Sequence, residues 1–325
     1  MLDEMREALP KMTNLHTFRI TCPFSPLTSL LISLAQCDHI KDLRIVDTPL
    51  SQHIVDVPDN FKLERLTLVP VGEVMRWGEG PVDLKFRELQ YFLRTFRKLR
   101  PSRPNLAVAH KYIFDTGLTR CIRYLQVSSI YLRSLQPLTS VIWPHLETLV
   151  LTGPTFLITE SYMARVIDKM PKLFDLRLVL SKRAYVETTL LVDGQSSVRP
   201  TLGFLSTIKY LALSNSFEIF GLLRHAPSLE RLSIGAIASH PQIPIAMKKA
   251  ELVKGLEELQ AGRGNLSLKK IRLMTEETLT VEFFETLGGI CPNLDFVEVE
   301  VCGYIAEEAG FEWASDHAIY FWSRF

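Results

Sequence analysis

Eight histidines, at positions 16, 39, 53, 110, 145, 225, 240 and 317, are the side chains best suited to ligate a metal or move a proton. They are scattered. No HExxH occurs and no His or Cys pair stands at metal-ligand spacing, so they are read as satisfied or exposed residues. The five cysteines (Cys22, Cys37, Cys121, Cys291, Cys302) are odd in number and form no CxxC. Neither a zinc ribbon nor a disulfide framework is suggested; buried reduced thiols fit better. Gly262-Arg-Gly264-Asn-Leu-Ser267 begins like a dinucleotide loop. It follows a helical pattern and precedes a strand pattern, the reverse of what phosphate binding at a helix N-terminus needs, so it reads as a helix C-cap and turn. No GxSxG elbow or P-loop is present. The acidic pairs Glu276-Glu277 and Glu307-Glu308 are adjacent in the chain and read as solvated faces rather than acid/base partners. No catalytic, cofactor-binding or metal-binding residue is nominated, and a non-enzymatic protein is expected.

The stretch from Lys85 to Arg103 holds seven basic residues and one acid, with Phe86, Tyr91, Phe92 and Phe96 between them. Basic and aromatic residues so mixed can track single-stranded nucleic acid. The aromatics fall mostly on one helical stripe, which favours a solvated outer helix over an acidic protein partner or nucleic acid. Over the whole chain of 325 residues, 37 Lys and Arg balance 36 Asp and Glu, leaving +1. That gives no global pull toward nucleic acid or an anionic membrane. Apolar residues are 47% and charged residues 22%, the composition of a globular chain rather than a disordered one. The charged N-terminal stretch lacks the apolar core of a signal peptide, and no apolar run approaches about 20 residues. Asn265-Leu266-Ser267 fits the glycosylation sequon, a motif common by chance. A cytoplasmic or nuclear location is expected.

The organisation lies in a repeat. One frame recurs: apolar, two variable, apolar, one variable, apolar. Its ten copies begin at Leu15, Ile40, Leu63, Ile122, Leu146, Leu173, Ile208, Leu229, Leu268 and Leu294. The spacings are 25, 23, 59, 24, 27, 35, 21, 39 and 26; six of the nine fall in the 20–29 period of leucine-rich repeats. A short lead recurs too, as Trp143-Pro-His145, Met170-Pro-Lys172, Ala226-Pro-Ser228 and Cys291-Pro-Asn293. Proline there fits a stop after a helix and entry into a strand.

In such a frame the second and third apolar positions share one face of a short strand, and the residues between them face the other way. Helical patterns in the intervals would close each coil: Leu27 to Leu34, Phe86 to Leu99, Tyr162 to Met170, Phe217 to Leu223, Ile245 to Leu259 and Val281 to Leu287. The expected fold is α/β, a leucine-rich-repeat solenoid with a curved parallel sheet on the concave side and helices on the convex side. A two-domain doubly wound fold is the alternative. One solenoid is expected over 1–325, with insertions near 69–118 and 181–203. Leu2, Met5, Leu9 and Met12 would open it on an outer helix, and an aromatic cap over 304–325 would close it.

The irregular pitch, the lead of small, Met or Cys residue plus Pro, and the helical returns resemble the leucine-rich-repeat region of fungal F-box proteins. The regular Asn ladder of secreted repeats is missing: its position holds Pro23, Thr48, Val71, Ile130 and Ser181, among others. The resemblance implies an intracellular substrate-recognition arm of a ubiquitin ligase. The F-box that would dock on the ligase scaffold is not found ahead of the first repeat. A free-standing adaptor or inhibitor unrelated to ubiquitin is the second expectation.

The variable positions name the candidate binding residues. The position between the second and third apolar residues gives Arg19, Arg44, Thr67, Gln126, Val150, Arg177, Ala212, Ser233, Arg272 and Glu298. The position before the second apolar residue gives Thr17, Asp42, Arg65, Tyr124, Thr148, Asp175, Tyr210, Arg231, Lys270 and Phe296. Arg donates in pairs to carboxylate and phosphate, and aromatics anchor interfaces. The predicted protein-binding residues are Arg19, Arg44, Arg65, Tyr124, Arg177, Tyr210, Arg231, Lys270, Arg272 and Phe296. Their expected partner is a protein, acidic or phosphorylated. The competing expectation is that these arginines pair with Asp42, Asp175 and other neighbours simply to keep the strands soluble.

Overall fold

The computed structural model describes residues 7–21, 33–34, 36–46, 62–69, 117–128, 135–154, 160–181, 205–214, 223, 225–235, 249–263, 266–275, 280–301 and 318–323. The chain forms two compact units. One comprises Met1–Phe156 and Arg165–Leu173, the other Leu157–Ala164 and Phe174–Phe325.

In the first unit each hexad forms a short strand: β1 (Thr17–Thr21), β2 (Asp42–Val46), β3 (Arg65–Val69), β4 (Tyr124–Ser128) and β5 (Thr148–Pro154). Successive strands pair in parallel in chain order. In the second unit β6 (Asp175–Ser181), β7 (Tyr210–Ser214), β8 (Arg231–Gly235), β9 (Lys270–Thr275) and β10 (Phe296–Val301) do the same. Hexad aligns with hexad: Phe18, Leu43, Leu66, Leu125 and Leu149 are successive partners, as are Leu176, Leu211, Leu232, Ile271 and Val297. Parallel pairing needs a crossover connection, and the long intervals supply it.

The apolar frame is the core. From the second hexad onward its three apolar residues are buried, Leu125, Leu149, Leu211 and Ile271 fully so. In the first hexad Leu15, Phe18 and Ile20 are only half-buried. Burying one such leucine contributes about 1.5–3 kcal/mol, so the repeated frame stabilises each unit along its length.

The recurring lead is a β-turn. The N–H of the first apolar residue donates to the carbonyl three residues back: Leu15 to Met12, Ile40 to Cys37, Leu146 to Trp143, Leu173 to Met170, Ile208 to Leu205, Leu229 to Ala226 and Leu294 to Cys291, at 2.9–3.4 Å. Pro144, Pro171, Pro227 and Pro292 stand second in their turns, where a fixed φ near −65° is suited. The first turn residue is buried in every case but Met12. Trp143, fully buried, also donates its indole N–H to the Leu138 carbonyl at 3.2 Å.

The longer described helices are α1 (Gln136–Thr139), α2 (Glu160–Asp168), α3 (Lys249–Arg263) and α4 (Val281–Ile290), with helical residues also at 7–8 and 33–34. Each helix from α2 on buries one stripe: Met163, Val166 and Ile167; Leu252, Leu256 and Leu259; Phe283, Leu287 and Ile290. The patterns at 162–170 and 281–287 match α2 and α4; α3 covers the described part of the 245–259 pattern and runs on to Arg263, while 245–248 lie outside the described residues. The patterns at 86–99 and most of those at 27–34 and 217–223 lie outside the described residues, as does nearly all of the 69–118 and 181–203 intervals. Of the predicted opening helix, Glu7 and Ala8 are helical, Leu9–Lys11 forms a 3-10 turn that ends at Met12, and residues 1–6 lie outside the described residues.

The C-terminal region adds an element not anticipated. β11 (Ala318–Ser323) pairs antiparallel with β10, Val297 opposite Trp322 and Val299 opposite Tyr320. It thereby satisfies the backbone of an otherwise unpaired sheet edge. No helix among the described residues is long and apolar enough to cross a membrane.

Candidate protein-binding face

Strand alternation sends the two variable positions of each hexad to the face opposite the leucines. All ten predicted residues lie on strands at these positions. Their register makes continuous rows. In the first unit Thr17, Asp42, Arg65, Tyr124 and Thr148 are successive partners, beside Arg19, Arg44, Thr67, Gln126 and Val150. In the second, Asp175, Tyr210, Arg231, Lys270 and Phe296 run beside Arg177, Ala212, Ser233, Arg272 and Glu298.

The face is not uniformly open. Thr67, Gln126 and Val150 are buried, and so are Ala212, Ser233 and Glu298. The Gln126 amide is fixed on one side by the Tyr124 hydroxyl, which donates to Oε1 at 3.2 Å; its Nε2 is buried with no hydrogen-bond partner among the described residues. Exposure concentrates on Arg19 and Arg65 in the first unit and on Arg231 and Lys270 in the second.

The seven basic residues divide into two groups. Arg44 clamps Asp42 two residues back on its own strand, with Nη2 to Oδ2 at 2.7 Å and Nε to Oδ2 at 3.1 Å. Arg177 clamps Asp175 in the same way, at 2.7 and 2.9 Å. Both pairs come from one local sequence, Asp-Leu-Arg followed by an aliphatic, because residues two apart share a strand face. Arg272 reaches Glu298 on the neighbouring strand at 3.4 Å. These three are neutralised within the sheet, as the competing expectation requires. Arg19, Arg65, Arg231 and Lys270 have no carboxylate within ion-pair distance among the described residues.

The aromatics are platforms for cations. Arg65 lies over the Tyr124 ring at 4.8 Å, Arg177 over Tyr210 at 4.8 Å, and Lys270 against Phe296 at 5.8 Å. Burial pushes the Tyr210 phenol above its ordinary pKa; the nearby Asp175 adds to the rise, while Arg177, Arg272 and a hydrogen bond with Ser233 oppose it. The second unit thus carries a tight polar centre in which Tyr210 sits near two arginine–carboxylate pairs.

A second row escaped the reading of the sequence. It occupies the second position of the hexad, just ahead of each strand. In the first unit it reads Lys41, Glu64, Arg123, Glu147; in the second, Lys209, Glu230, Lys269, Asp295. Signs alternate from rung to rung. Arg123 pairs with Glu147 at 2.5 Å, Lys41 with Glu64 at 4.0 Å, and Glu230 with both Lys209 at 3.2 Å and Lys269 at 3.6 Å. The backbone follows the same row: each carbonyl accepts two N–H groups from the next rung, as His16 does from Lys41 and Asp42, and Lys209 from Glu230 and Arg231. The signal was available as sign alternation at one hexad position. Being balanced, the row serves register more than recognition.

Among the described residues, no group of three or more His, Cys, Asp or Glu side chains lies close enough to hold a metal ion. A pocket of about 120 Å³ between α4 and β10 is lined by Phe284, Leu287, Cys291, Leu294 and Phe296, with Asp295 at its side. Burial pushes the Cys291 thiol up to about 12, so it stays protonated and inert at neutral pH. Compared with known proteins, the chain matches no family model and no curated sequence.

Proposed function

We propose that the chain is a leucine-rich-repeat solenoid with no enzymatic activity that binds another protein on the variable face of its strands. The observation that carries this reading is the register. Ten hexads align position for position within two five-strand parallel arrays, so ten variable pairs become two continuous rows per unit. Such rows, bearing aromatics and uncompensated cations, suit recognition of a folded or extended protein segment. The concave shape belongs to the same proposal, as does a single continuous solenoid over 1–325. By resemblance to F-box proteins with leucine-rich repeats, the bound protein is a substrate presented for ubiquitin transfer.

Affinity purification of the intact chain, with bound proteins identified by mass spectrometry, tests the reading. The comparison is a variant carrying Arg19→Glu and Arg65→Glu, and a second carrying Arg231→Glu and Lys270→Glu. Arg44 is left alone, since a glutamate there would face Asp42. Loss of the same proteins from either variant supports a binding face. Identical recovery by all three chains overturns it. Recovery of a ubiquitin-ligase scaffold with the intact chain separates a ligase arm from a free-standing adaptor.

A further inference from the structure

Arg231 and Lys270 are register partners on β8 and β9, so their Cα atoms stand about 4.8 Å apart. Both are exposed. Like charges placed side by side on neighbouring strands destabilise a sheet. Elsewhere on this face charge is neutralised: Asp175 by Arg177, Glu298 by Arg272. One position ahead, Glu230 is already engaged by Lys209 and Lys269. Along its two variable rows the second unit therefore carries four cations against two carboxylates, and the surplus sits at one place.

The row around that place reads Asp175, Tyr210, Arg231, Lys270, Phe296. Two cations are bracketed by two half-buried aromatics, and Lys270 leans on the Phe296 ring. Resting on the protein-binding reading, we propose that Arg231 and Lys270 form a two-point dock for an acidic segment of the partner. That segment carries two neighbouring carboxylate side chains flanked by apolar residues, which lie against Tyr210 and Phe296. Two cations on separate rungs suit two separate carboxylates. A polyphosphate backbone carries a longer run of closely spaced charges than two exposed cations can match. The dock adds on-rate and specificity through charge, and a screened interaction is its signature.

The test uses the full chain and three fluorescein-labelled peptides. The first alternates Glu and Asp with Leu and Tyr, the second has Gln and Asn for the acids, and the third has phosphoserine for them. Fluorescence anisotropy at about 50 mM and about 300 mM salt reads the affinity. The acidic peptide should bind at low salt and weaken at high salt, with the amide peptide about tenfold weaker or more. Arg231→Ala with Lys270→Ala should weaken the acidic peptide to the amide level. Lys254→Ala, an exposed position on α3, should not. Equal binding by the double variant overturns the dock, as does binding by the phosphopeptide alone. Zero-length carbodiimide crosslinking of the acidic peptide to the unmodified chain needs no variant: a Lys270 crosslink supports the dock, and crosslinks confined to the lysines of 85–98 overturn it. Cellular partners lost on substituting Arg19 and Arg65 but kept on substituting Arg231 and Lys270 would sink the dock and leave the binding face standing.

Discussion

Replacing Asp175 by Ala strands a guanidinium. The Arg177 side chain is only 17% exposed and Asp175 9%, and two short hydrogen bonds join them. Two unit charges 2.7 Å apart attract by roughly 6 kcal/mol gross at an effective dielectric of about 20. Most of that offsets the removal of both groups from water, so the net worth of the pair is small. Deleting one partner is different, because the other loses its partner without regaining water; that costs about 3–5 kcal/mol for buried pairs. The same local sequence at Asp42 and Arg44 gives the same clamp at 2.7 Å, but there the Arg side chain is 44% exposed. It can turn to solvent, so its coupling belongs to the exposed class, below about 1 kcal/mol. Two double-mutant cycles test the comparison: Asp175→Ala with Arg177→Ala, and Asp42→Ala with Arg44→Ala, each followed by urea unfolding and circular dichroism. We expect a coupling of about 2 kcal/mol or more at 175/177 and less than about 1 kcal/mol at 42/44. Equal couplings, or a larger one at 42/44, would refute the argument from exposure.

Four other expectations follow from the row ahead of the strands and from the buried thiol. Glu230→Lys sets like charges across three rungs, so the melting temperature should fall, less so in high salt, and Lys209→Glu in the same chain should restore part of it. The Glu230 carboxyl is held below its ordinary 4.5, first by its hydrogen bond from Lys209 and then by the charges of Lys209 and Lys269. Its contribution is therefore present at neutral pH and lost as pH falls through the lowered value; a Glu230→Gln chain should lack that component of the acid titration of stability. Cys291 behaves oppositely. Its thiol is raised to about 12 from 9.0, so above pH 9 the unfolded chain releases a proton the native chain keeps, and stability declines from pH 9 toward 12. In native protein at pH 8 a thiol reagent should modify the exposed Cys121 at once and Cys291 only after denaturant is added; prompt modification of Cys291 would contradict its burial.

What the sequence made legible was whatever repeats. A strand's period of two, copied ten times, names the buried leucines and the outward rows, and both follow from local geometry alone. The Asp-Leu-Arg clamps were legible for the same reason, though they serve the sheet rather than a partner. The turn at Cys291-Pro-Asn293 was visible as a break, but its hydrogen bond to Leu294 needed coordinates. The antiparallel β11 was hidden because an aromatic-rich tail gives no pairing partner or direction. The burial of Thr67, Gln126 and Val150 was hidden because exposure on a sheet face depends on distant chain and not on hexad position.

The division of the seven cations is what turns a fold into a functional argument. A basic column read from sequence counts Arg44, Arg177 and Arg272 equally with Arg231 and Lys270. In the structure the first three each hold a carboxylate within the sheet. Such residues have less charge left to offer a partner, and at the deeply seated Arg177 removal harms the sheet first. The exposed pair at 231 and 270 has the opposite economy: it weakens the free protein slightly through mutual repulsion and gains most when an anion arrives. Substitution there should leave stability unchanged or improved while binding is lost. That combination separates a recognition residue from a solubilising one, and a melting temperature that drops on Arg231→Ala would assign the pair to the sheet instead.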